Sequence, residues 1–306
     1  MVSHATRPIR HILCPIDFSG AAELAIRHAA ATAAALDARL TLLHVAQPLS
    51  IPIADAPLEP MPPLSPADVL RIRPALDRYQ QLATRLGAQA TSAVVVGRPA
   101  DVIVDAAADA ADLIVMATHG YHGVKRLVLG SVTAQVIREA QCPVMTVPPH
   151  ADAVRPGPFA RVLCAVDFSD GSLRALEVAM TSALTADADL HLAHVLEWPW
   201  HEPPAPALED LPADEALALN RFRHRREAAA RQRLTGLVPE GWQARCQASV
   251  LHGVPHTALL DLARHAQAEV IVVGVTGRHA IDRAMFGSTT HHLLRRAECP
   301  VITIAS

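Results

Sequence analysis

The chain has 306 residues, enough for two domains of ordinary size. Apolar residues make up 51% and charged residues 19%, a balance that excludes a disordered chain, and the formal charge of −3 offers no general attraction to nucleic acid or to an anionic membrane. No apolar run approaches the roughly 20 residues a membrane helix needs, and Met1 to Asp17 lacks the apolar stretch of a signal peptide, which points to the cytoplasm.

The first predicted strand lies in Arg10-His-Ile-Leu-Cys-Pro-Ile-Asp-Phe-Ser19. It ends at Asp17, and Ser19 follows at a helix N-cap position. Leu42-Leu-His-Val45 closes the second strand, and the proline-rich stretch from Gln47 to Pro66 reads as a long loop of the kind that forms lids or mobile segments. The third strand leads into Val96-Gly-Arg-Pro99. The fourth, Leu113 to Met116, is apolar throughout, as a strand buried on both faces must be. It runs into Ala117-Thr-His-Gly120, and nine residues later Gly130-Ser131 heads a helix with Val132, Val136, Ile137 and Ala140 on one face. Gln141-Cys-Pro-Val144 opens a fifth strand, Val144 to Val147.

The pattern then repeats. Ala160-Arg-Val-Leu-Cys-Ala-Val-Asp-Phe-Ser169 and Leu192-Ala-His-Val195 match the first two strands at an offset of 150. His252-Gly-Val-Pro255 matches at 156, and Phe286-Gly-Ser288 and Glu298-Cys-Pro-Val301 at 157. Trp198 to Pro212 is the second proline-rich loop. Val270 to Val273 runs into Gly274-Val-Thr-Gly277, and Gly287-Ser288 heads a helix with Thr289, Leu293, Leu294 and Ala297 on one face. Five collinear matches establish a duplication: a domain over 1–150, a linker over 151–158 and a domain over 159–306. Alternating strands and helices mean βαβ units with right-handed crossovers. The expectation is an α/β protein with two doubly wound, parallel, five-stranded sheets, four helices per copy, on both faces.

In such sheets ligands bind beyond the carboxyl ends of the strands, where strand order reverses. Asp17, Asp167, Val45 and Val195 fall there, as do the turns at Ala117 and Gly274. Glycine allows close backbone approach. A helix N-terminus offers free N–H groups to a phosphate, and Ser131 and Ser288 each add a hydroxyl. The alternative roles are helix capping for Asp17 and Asp167 and plain tight turns for Gly130 and Gly287.

Gly274, Gly277, Gly287 and Ser288 match the Gly-x2-Gly-x9-Gly-Ser pattern of ATP-binding universal stress proteins. The first copy matches at Gly120, Gly130 and Ser131, with Ala117 at the first glycine. With the strand-one Asp, the His-Val pair, the Gly-x-Pro and the Cys-Pro-Val, each present twice, the chain resembles the tandem type of that family. The resemblance implies an adenine nucleotide α-hydrolase-like fold and ATP, with or without Mg. It implies that the backbone of Val45 and Val195 reads the adenine, that Asp17 and Asp167 hold the adenine-ribose end, and that the glycine loops with Ser131 or Ser288 take the phosphates. It also implies that Val144 to Val147 and Val301 to Ile304 cover each other within one chain, leaving a homodimer open. The function implied is a stress-response regulatory module without catalytic residues. The alternatives are an interaction protein with vestigial sites and a slow ATPase. Because Ala117 departs from the pattern, the second site is expected to be the better one, through strain at a positive φ or a narrowed pocket.

Other features read as structural. The five cysteines suit buried apolar positions. The histidines, including His119-x2-His122, His252-x3-His256 and His291-His292, form no zinc set. Six arginines between Arg221 and Arg233 read as a solvated helix face, with contact to nucleic acid or an acidic partner as the alternative. No Walker A, Gly-x-Ser-x-Gly or repeated nucleophile is present.

Overall fold

A computed structural model describes residues 8–47, 66–118, 129–149, 151, 159–197, 212–238, 240–275 and 286–305. The first half runs β1 (His11–Ile16), α1 (Gly20–Leu36), β2 (Arg39–Ala46), α2 (Pro66–Arg85), β3 (Gln89–Val96), α3 (Pro99–Ala110), β4 (Leu113–Ala117), α4 (Ser131–Glu139) and β5 (Val144–Val147). The second repeats it with β6 (Arg161–Ala165), α5 (Asp170–Ala186), β7 (Asp189–Leu196), α6 (Ala213–Thr235), β8 (Cys246–His252), α7 (Pro255–His265), β9 (Val270–Gly274), α8 (Ser288–Arg296) and β10 (Val301–Ile304). The predicted alternation is present in both halves. The linker beyond Ala151 and the interiors of the two proline-rich stretches lie outside the described residues.

All ten strands form one sheet, in the order β3-β2-β1-β4-β5-β10-β9-β6-β7-β8. Pairing is parallel within each half and antiparallel only where β5 meets β10. Alternate strand residues serve opposite faces. Ile12, Cys14, Leu40, Leu42 and Val115 pack with α1 and α2 residues such as Ile26 and Leu76. Leu13, Leu43, Ile114 and Val144 pack with Ile103 of α3 and Val136 and Ile137 of α4. The second half divides in the same way, and each core layer is continuous across the seam.

The seam has two-fold symmetry. Val301 faces Thr146, Ile302 faces Met145 and Thr303 faces Val144. Ile302 is the repeat equivalent of Met145, so the dyad passes through that pair, normal to the sheet. The Thr146 hydroxyl donates to the Val301 carbonyl and the Thr303 hydroxyl to the Val144 carbonyl, both at 3.2 Å. Both threonines are fully buried, so each hydroxyl needs a partner, and the dyad supplies the same one twice. Arg138 of α4 lies 5.7 Å over the ring of Phe286, tying the halves on the α4–α8 side. The terminal strands thus cover each other, as expected. Because the seam is antiparallel, the strand carboxyl ends of the two halves point in opposite directions.

Candidate nucleotide site

Strand order reverses between β1 and β4 in one half and between β6 and β9 in the other. Asp17 and Asp167 stand just beyond β1 and β6. Asp17 Oδ1 accepts from the Ser19 N–H at 3.0 Å, and Asp167 Oδ1 accepts from the Ser169 N–H at 2.9 Å and its hydroxyl at 2.5 Å. Ser19 caps α1 by accepting from the Ala22 N–H, and Ser169 accepts from the Ser172 N–H, each at 3.3 Å. Each carboxylate therefore has a capping-turn role, which the sequence left as an alternative, while still standing at the switch point.

Between aspartate and serine the chain turns through Phe18 and Phe168, at φ 61° and 64°. An aromatic residue in this left-handed region costs about 1–2 kcal/mol. The rings are pinned: Phe18 lies 4.4 Å from His44 and Phe168 4.6 Å from His194. His44 Nδ1 donates to the Ile16 carbonyl at 2.9 Å and His194 Nδ1 to the Val166 carbonyl at 2.7 Å. The His of the repeated His-Val pair thus braces the turn that presents the aspartate.

The Val of that pair faces the cleft through its backbone. The Ala46 carbonyl accepts from Gly97 on the β3 side, and the Leu196 carbonyl accepts from Gly253 on the β8 side, both at 3.2 Å. Backbone groups alternate sides along a strand, so those of Val45 and Val195 point towards β1 and β6. Those strands pair no further than Ile16 with His44 and Ala165 with Ala193, which leaves the two valines at the mouth of the cleft.

Across the cleft, Gly130 and Gly287 are the N-caps of α4 and α8, at φ −59°, ψ 143° and φ −56°, ψ 141°, without a side-chain cap. Ser131 and Ser288 are exposed at the first helical position. The helix starts are fixed to the preceding strand ends. Gly130 N–H donates to Thr118 and Gly287 N–H to Val275, both at 3.0 Å. The Thr133 hydroxyl donates to the Ala117 carbonyl at 3.1 Å, and the Thr290 hydroxyl to the Gly274 carbonyl at 2.8 Å. These buried threonines, one residue on from Val132 and Thr289, escape an apolar-face pattern; only their recurrence at an offset of 157 signals them. The result in each half is a set of helix-terminal N–H groups held beside a carboxylate-bearing turn, a geometry that accepts an anion.

Gly274 has a different reason from the expected one. Its φ lies outside the left-handed region, and a Cβ there would come within 2.8 Å of the Gly171 carbonyl carbon and 3.0 Å of the Ser172 nitrogen. The glycine admits the start of α5, whereas Ala117 packs its methyl against the α1 core layer. Backbone strain is therefore no ground for unequal sites. Gly120 and Gly277 lie outside the described residues, as do His119, His122, Lys125, Arg126, Arg278 and Arg283.

Cys14 and Cys164 are fully buried and Cys142, Cys246 and Cys299 partly so, all as free thiols. Burial pushes Cys14 up to about 12 and Cys142 and Cys246 up to about 11, far from thiolate chemistry. Among the described residues no three His, Cys, Asp or Glu side chains gather as a metal site, and no helix is long and apolar enough to cross a membrane.

A sequence profile described as the universal stress protein family matches residues 8–148 and 158–305. Universal stress protein Rv2623 of Mycobacterium tuberculosis is 30% identical over 313 aligned positions, covering 95% of each chain. A universal stress protein from Archaeoglobus fulgidus DSM 4304 is similar in structure, with a TM-score of 0.66 at 22% identity, covering 96% of this chain and 98% of its own. The functionally unknown protein PA1789 from Pseudomonas aeruginosa PAO1 follows with a TM-score of 0.64 at 20% identity, covering 99% and 95%.

Proposed function

The chain belongs to the universal stress protein family, with two such domains in tandem, and from that premise we propose that it is an ATP-binding regulatory protein with one nucleotide site in each half. The observation that carries this reading is the pair of helix N-termini at Gly130 and Gly287, without side-chain caps and anchored by Thr133 and Thr290. The phosphates lie on the N–H groups that open α4 and α8, with the Ser131 and Ser288 hydroxyls as further donors. The adenine meets the backbone of Val45 or Val195, and the sugar meets Asp17 or Asp167. Gly120 and Gly277 complete the phosphate loops. Mg is an optional companion of the phosphates.

The reading is one of binding and release, with occupancy biasing conformation or partner choice. The near-identical cap dihedrals in the two halves favour two comparable sites over a stronger second one. The test is to denature purified protein, identify the released nucleotide by mass spectrometry, and follow ATP turnover by the native protein. An adenine nucleotide with negligible steady-state turnover is expected. Protein that neither carries nor takes up adenine nucleotide contradicts the proposal, and sustained turnover moves the chain to the enzyme class.

A further inference from the structure

On one face of the ten-stranded sheet lie α3 and α4 of the first half and α7 and α8 of the second, two on each side of the dyad. Their outward charges are opposite. The first pair carries Asp101, Asp105, Asp109 and Glu139 against one arginine, Arg138. The second carries Arg264, Arg296 and the half-buried Arg295 against one acid, Asp261, beside His256 and His291, which burial holds below the ordinary histidine range. Between equivalent positions Glu139 of α4 becomes Arg296 of α8 and Asp109 of α3 becomes His265 of α7, while Asp105 keeps its sign as Asp261 and Arg138 as Arg295.

The acidic half crowds like charges. Asp101, Asp105 and Asp109 recur at i,i+4, an unfavourable spacing for like charges on a helix. His256 stacks on His292 at 4.0 Å with the rings 12° apart. Burial, then His292 and Arg296, hold His256 below the ordinary histidine range. Local partners offset only part of this. Arg98 approaches Asp101 at 3.5 Å, Gln135 donates to Asp101 and Glu139, and Arg264 pairs with Asp261. Asp105, Asp109, Glu139, Arg264 and Arg296 are all exposed.

We propose that this face docks a second copy of the chain, turned so that α3–α4 of each copy lies on α7–α8 of the other. An acidic half and a basic half on one surface are complementary to their own two-fold image, and such an isologous contact closes at two chains. A free polyanion would use the basic half alone; a second copy uses both halves at once. The new axis is perpendicular to the internal dyad, so four repeat units acquire pseudo-222 symmetry. Exposed ion pairs are individually weak and are screened by salt, so the dimer depends on several of them and weakens with salt. The nucleotide sites lie at the strand ends, and this inference does not depend on their being occupied.

Sedimentation of the full chain at ionic strengths of about 0.01 M and about 1 M, where charges act over about 30 Å and about 3 Å, tests it. A dimer at low salt that dissociates at high salt is expected. The double variant D105R/D109R makes the whole face basic and R264E/R296E makes it acidic, so each alone is expected to sediment as a monomer at low salt. Mixing the two is expected to restore a dimer, which misfolded variants would fail to do. A wild-type monomer at low salt, with or without a polyanion on α7–α8, overturns the proposal. So does a dimer indifferent to both double variants, or a mixture that stays monomeric.

Discussion

His28 sits inside α1 with 6% of its surface exposed, and its Nε2 has no hydrogen-bond partner among the described residues. Burial lowers its pKa from 6.5 to about 4. The folded protein therefore keeps this ring neutral through a range in which the unfolded chain protonates it. Between pH 6.5 and 4 the unfolded state holds more protons, so stability falls as pH falls through that window and levels off below it. The second half has Val178 at the equivalent position. Denaturant unfolding at pH 7 and pH 5 is expected to show the wild type losing about 2 kcal/mol more than His28→Val on acidification. An equal loss in both would remove His28 as the cause. Phe18 and Phe168 show a different cost at the same scale. Their left-handed backbone is held by a histidine stack and a carbonyl bond, and no hydrophobic pattern reveals it, because the signal is a φ value and not a side-chain class.

At the scale of elements, Gly274 and Ala117 end equivalent strands but meet different helices. A methyl at 274 would overlap the α5 backbone, at 2.8 Å from the Gly171 carbonyl carbon, so Gly274→Ala is expected to displace α5 and cost about 1–3 kcal/mol, the usual range for overpacking. Ala117→Gly is expected to cost less, about 1 kcal/mol, from lost packing and added chain entropy. Thermal unfolding of both variants checks the order, and a harmless Gly274→Ala would refute this account of the glycine. The same pair shows how far sequence reaches. Strands, helices, Ser19 at its cap and the Gly-Ser helix starts are legible because each rests on local chemistry repeated twice. The reason for Gly274 is not, because it depends on how closely α5, a helix far earlier in the chain, crosses the strand. Thr133 and Thr290 are hidden for a similar cause: their partners are carbonyls 16 residues back, brought near only by the turn.

For the whole molecule, the antiparallel seam of β5 and β10 makes two repeats one sheet, with a core layer on each face that crosses the dyad. A chain cut within 152–158 is therefore expected to stay together in gel filtration. Ile302→Asp, which places a carboxylate at the dyad between strands buried on both faces, is expected to let the cut halves part. Halves that separate without the substitution would mean that the seam contributes little. The same dyad sends the two switch points to opposite ends of the sheet, so the two proposed nucleotide sites are separate cradles. The most direct measurement is the stoichiometry of ATP binding by calorimetry for the wild type, Gly130→Asp, Gly287→Asp and the double variant. Each substitution sets a carboxylate where a phosphate should rest, at a cost expected to exceed about 1.4 kcal/mol, or tenfold in affinity. Two sites per chain are expected, one lost with each single variant and both with the double. Absence of ATP binding by the wild type, or binding that survives in the double variant, would contradict this.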